Sequence, residues 1–167
     1  SDSDNAPVVY GRANAQDLSG ALWSTSGFGF VSDHLPAGYT VVQSDLAVAE
    51  DGAVHLAFRD QQSGHVFHAE RGPLVGSGWL VQQVSQGAGV PAFDARIVLG
   101  PGNAPRVLYR QANVFAVAAR RVDTGQWLSR EAVVGVNGNA RPSADGSTEA
   151  HLIYLSWYDD AVEELRV

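Results

Sequence analysis

The chain has 167 residues, of which 45% are apolar, enough to bury the core of one domain. It has no cysteine, which excludes disulfide staples and thiolate metal sites. The formal net charge of −7 argues against nucleic acid as a partner, and with no run of ~18 apolar residues a membrane-spanning helix is not expected either.

Taken in chain order, the predicted elements are short strands closed by Gly, Asn and Asp turns. "NAPVVYGR" (5–12) and "FGFVSD" (28–33) come first. "SDLAVAEDG" (44–52), "AVHLAFRD" (53–60), "VFHAER" (66–71) and "GWLVQQV" (78–84) follow, and then "FDARIVLGPG" (93–102), "APRVLYRQ" (104–111), "VFAVAARR" (114–121) and "QWLSREAV" (126–133). "ARPSADGS" (140–147), "EAHLIYLS" (149–156) and "AVEELR" (161–166) end the series. No segment of helical period and helical length interrupts them.

The series repeats itself. Trp79 and Trp127 stand 48 positions apart, His55 aligns with Arg106 and His151, and Phe58 aligns with Tyr109 and Tyr154. The tyrosines of this column, Tyr10 included, are therefore expected in the core. Four short strands in each unit of about 48 residues predict an all-β chain, a β-propeller of four-stranded blades. The reading is a single domain over 1–167, with a partial blade at 1–43, whole blades at 44–90 and 91–139, and a partial blade at 140–167. The chain then carries about 3.5–4 blades and about fourteen strands. Both end pieces are short of a full blade and would leave open sheet edges. A second copy of the chain, or a complementary propeller fragment, is the expected partner.

The pattern Asp51, Gly52, His55, Ala57, Phe58, Asp60, Gly64, Val66, Ala69, Gly78, Trp79, Val84 resembles the sialidase-like propeller repeat of bacterial secreted proteins, and is similar to that of propeller lectins. The second unit departs from it at Arg106 and Gln111. The resemblance implies an extracellular or periplasmic protein. It carries over no catalytic residue: the Asp-box turn is absent, "SADGST" (143–148) having its glycine one place early and no following tryptophan.

What remains for function is binding. Trp79 and Trp127 are read first as wedges between blades. In lectins of this kind, repeated tryptophans also stack on sugar rings while arginine bonds the hydroxyls. The candidate glycan-binding residues are Trp23, Trp79, Trp127, Trp157, Arg59 and Arg110, with Arg12 and Arg71 as further polar partners. A non-enzymatic module, lectin-like or protein-binding, is the favoured reading. A structural assembly subunit and a glycosidase using Asp45, Asp94 or Asp145 are the alternatives. No cofactor and no metal are expected. His55, His65 and His68 cluster in sequence, but the repeat assigns His55 to a blade column, and His65 and His68 to opposite faces of a strand.

Overall fold

A computed structural model describes residues 9–10, 29–30, 40–72, 79–86, 90–136, 140–146, 153–159 and 164–166. Over these residues the protein is all-β, with thirteen strands and one short 3-10 turn at Pro101–Asn103. Strands β1 (Val9–Tyr10) and β2 (Gly29–Phe30) pair with each other. The remainder of the first expected unit lies outside the described residues.

A four-stranded antiparallel sheet follows, made of β3 (Val41–Val48), β4 (Val54–Asp60), β5 (Val66–Arg71) and β6 (Trp79–Gln83). A second has β7 (Ala92–Leu99), β8 (Pro105–Gln111), β9 (Val114–Arg120) and β10 (Trp127–Val134). A three-stranded sheet has β11 (Pro142–Gly146), β12 (Ile153–Asp159) and β13 (Glu164–Arg166). Within each sheet every strand pairs with its neighbour in the chain.

The two four-stranded sheets are spaced 51 residues apart at their first strands (Val41, Ala92) and 48 apart at their last (Trp79, Trp127). The three-residue difference sits in one turn: five residues, 61–65, join β4 to β5, whereas Ala112 and Asn113 alone join β8 to β9. The longer turn is organised by the buried Asp60 carboxylate. It accepts the Thr40 and Ser63 N–H groups at 2.7 Å each and the Ser63 hydroxyl at 2.5 Å. Gly64 closes the turn at φ +69°. Burial alone would raise the Asp60 pKa, but these hydrogen bonds outweigh it and hold the carboxyl below its ordinary value. The two-residue turn has no such loop to tie, which accounts for Gln111 where the first unit has Asp60. Gln111 instead donates to the Val90 carbonyl at 2.8 Å.

Alternation along the strands sends two sets of side chains to opposite faces. In the 41–83 sheet, Leu56, Phe58, Phe67 and Ala69 form one apolar face, with Trp79 half-buried against it. Ala57 and Val66 lie on the other face and pack with Val107, Tyr109, Ala116, Ala118 and Trp127 of the 92–134 sheet. The reverse face of that sheet, through Leu108 and Phe115, meets Leu155 and Trp157 of the 142–166 sheet. The three sheets therefore stack back to front, the second and third each offering its Trp127- or Trp157-bearing face to the sheet before it. First strands neighbour one another in the same order, β3 beside β7 and β7 beside β11.

Two β-bulges recur at one place. Gln43 (φ 57°) lies in the irregularity between Val42 and Ser44 of β3, and Asp94 (φ 56°) in that between Phe93 and Arg96 of β7. The Gln43 side chain clasps Asp94, accepting its N–H at 3.1 Å and donating to its carboxylate at 3.5 Å.

One expectation is corrected. Tyr154 does not share the buried environment of Phe58 and Tyr109; it is 58% exposed. The β12 run Ile153, Tyr154, Leu155, Ser156, Trp157 places its most apolar residues on alternate positions, and Leu155 and Trp157 take the core. A one-residue offset from the sequence alignment flips the tyrosine outward. Tyr10 lies in β1, where only the backbone is described.

Candidate functional site

The seam between the 41–83 and 92–134 sheets gathers several polar side chains that are partly or wholly buried. At one end, the repeat-equivalent arginines Arg59 (β4) and Arg110 (β8) converge on Phe93, the second residue of β7. Their guanidinium carbons lie 4.4 and 5.0 Å from the ring centroid. Arg110 Nε donates to the Asp94 carboxylate at 3.1 Å, and this pair is only 13% and 9% exposed. The Arg59 Nε is buried and makes no hydrogen bond among the described residues. Two guanidinium groups thus share one aromatic ring, and only Arg110 is paired with the Asp94 carboxylate, so the two arginines bring more positive charge to this half-buried seam than Asp94 offsets.

Further along the seam lies a histidine pair. β4 and β5 pair Ala57 with His68 and His55 with Glu70, so all four residues lie on the seam-facing side. His55 Nδ1 stands 3.1 Å from His68 Nε2, the rings are 5.3 Å apart between centroids, and both residues are buried. Across the seam, the Trp127 ring tilts over His68 at 5.0 Å, and Arg120 donates to Glu70 Oε2 at 2.6 Å. Burial lowers the His55 pKa, opposed by the Glu70 charge and assisted by that of Arg120. Burial first, then His55 and Arg120, brings His68 down to about 3. His68 is therefore neutral at physiological pH.

The expectation that these histidines do not associate is thus corrected for two of them. Residues of a hairpin that are far apart in sequence become cross-strand diagonal neighbours, and a comparison between repeats does not see that contact. His65 stands apart, outside β5, with its Nδ1 3.2 Å from the Ser85 hydroxyl.

The tryptophans are dispersed. Trp127 is buried at the seam, its indole N–H donating to Gln82 Oε1 at 3.3 Å. Trp157 meets Phe115 edge-on at 5.6 Å, and Trp79 pairs in register with Arg71 on the first sheet. Trp23 and Arg12 lie outside the described residues. The carboxylates weighed for catalysis have structural partners: Asp45 accepts the Ile97 N–H at 2.9 Å, and Asp94 holds Arg110. Asp145 is exposed on β11.

The sequence reading did not single out Phe93 or Gln43 and named Asp94 only as a catalytic alternative. Asp94, one of two charged residues inside the otherwise apolar run "AFDARIVL", is the local signal of the bulge that aims these groups at the seam.

No protein-family model matches this chain, and no curated protein does. Among the described residues, no helix is long and apolar enough to cross a membrane.

Proposed function

We propose that the chain is a non-enzymatic binding module of the sialidase-like propeller class. Its sheets are successive blades, and it takes carbohydrate at the Arg59–Phe93–Arg110 seam. The observation that carries this reading is the back-to-front stacking of consecutive sheets with β3, β7 and β11 side by side, as blades around an axis require. Seams between blades are then equivalent positions, and only this one is described with two arginines on one ring. Guanidinium groups with donors to spare suit the hydroxyl or carboxylate oxygens of a sugar. Secretion, as in the proteins the repeat resembles, is part of the same reading.

The 142–166 sheet supports completion by a second copy. Its face away from the 92–134 sheet carries Tyr154 and Tyr158, 58% and 50% exposed, and Leu165, 69% exposed, which pairs in register with Tyr158. In the stacking order this is the face that would receive another sheet.

A glycan array followed by tryptophan-fluorescence titration tests the ligand. Arg59→Ala and Arg110→Ala are expected to abolish the response to any glycan bound by the wild-type chain. A silent array, or unchanged titration in both variants, refutes the ligand assignment. Light scattering tests the assembly: a dimer is expected, and a mass near the 17.7 kDa of one chain overturns it.

A further inference from the structure

We propose that His55, His68 and Glu70 bind a single first-row divalent cation, with zinc the ion that the donor set suits best. One ligand atom from each of the three lies within 4.8 Å of the other two. Donors sharing a tetrahedral zinc at 2.0–2.2 Å stand roughly 3.3 Å apart. The facing nitrogens of His55 and His68, at 3.1 Å, already have that spacing. Glu70 needs to close by up to about 1.5 Å, within reach of a side chain that is 27% exposed. Two imidazoles and a carboxylate form a ligand set for zinc or its transition-metal neighbours, and too nitrogen-rich a set for calcium or magnesium.

The case for the ion rests on these facing donors; His68 Nδ1 has no hydrogen-bond partner among the described residues, and an ion on Nε2 would leave it so. Between the two facing nitrogens only one proton fits, so one lone pair is used and the other is spent on accepting it. An ion engages both lone pairs, and the displaced proton moves to the other nitrogen of its own ring. Glu70 offers the ion one oxygen and keeps Arg120 on the other, the arrangement by which outer partners orient a ligating carboxylate. All three ligands come from the 41–83 sheet, while Arg120 and Trp127 close over the site from the next sheet. This site is independent of the glycan reading, since Arg59 and Phe93 take no part in it.

The test uses the whole chain, stripped with EDTA and dialysed, and titrated with cobalt(II) while visible absorption is recorded. Zinc is then added in competition and followed by calorimetry. One ion per chain with tetrahedral cobalt bands, displaced by zinc, is expected. His68→Gln and Glu70→Gln should each weaken binding at least about tenfold, while His65→Gln leaves it unchanged. Glu70 is partly exposed, so its variant decides the matter even if the buried substitution does not fold. Absence of cobalt bands and of zinc heat in the wild-type chain overturns the proposal. So does Glu70→Gln binding as tightly as wild type, or equal loss in His65→Gln.

Discussion

Acidification should destabilise this fold well before its carboxylates titrate, and His68 is the reason. An unfolded histidine takes up a proton near pH 6.5, whereas in the folded chain burial beside His55 and Arg120 brings the pKa of His68 to about 3. The folded-state value is the lower one, so the unfolded chain binds more protons between the two. Stability is fully present above the unfolded value and is lost as pH falls toward the folded value. Integrated from pH 7.5 to pH 5, this one group removes about 2 kcal/mol. That is a large part of the roughly 5–15 kcal/mol that holds a domain together. His55, shifted in the same direction, adds to the loss. The measurement is urea unfolding in EDTA across that pH range, for the wild-type chain and for His68→Gln. The variant should be less stable at pH 7.5 but flatter with pH, losing at least half of the wild-type slope. Equal slopes in the two proteins would refute the reasoning, because the pH dependence would then come from groups other than His68.

Three further outcomes are expected. Arg110→Ala leaves the Asp94 carboxylate, 9% exposed, without its cation, and should lower unfolding stability by about 2–3 kcal/mol, read as a shifted urea midpoint at unchanged slope. Gly64→Ala forces a Cβ into a backbone at φ +69° and to 3.2 Å from Pro91, the residue before β7. A loss of about 1–2 kcal/mol by thermal denaturation is expected. Phe58→Ala empties a site with no solvent exposure and should cost about 3–5 kcal/mol, while Val122→Ser, at a position 97% exposed, should stay within about 0.5 kcal/mol.

Strand identity was legible because turn residues punctuate the chain and the segments between them are short, rich in β-branched and aromatic residues, and without a helical period. The equivalence of Arg59 and Arg110 was legible too, since each follows the large aromatic of its unit. Their convergence was not. It depends on Phe93 sitting beside a bulge, and a bulge is one extra residue in a ladder whose register the sequence does not display. The His55–His68 contact was hidden for a related reason. Comparing units sets His55 above Arg106 and emphasises what repeats, whereas the partner of His55 lies across a hairpin and occurs in one unit alone. In the neighbouring unit the residue opposite Leu108 is Val117, where this unit has His68 opposite Ala57. Tyr154 shows the reverse error: similarity of letters suggested a column, and the inward pull of Leu155 and Trp157 set a different register.

The paired bulges at Gln43 and Asp94 bear on how such a chain can change in length. The clasp runs from one place in the first four-stranded unit to the same place in the second, and it needs the glutamine on one side and the aspartate on the other. Inserting one residue into β3 or β7 just past the bulge would move the rest of that strand's side chains to the opposite face. Length can differ between the two units without disturbing the clasp, because their three-residue difference falls in a turn, 61–65 against Ala112–Asn113, and not in β3 or β7.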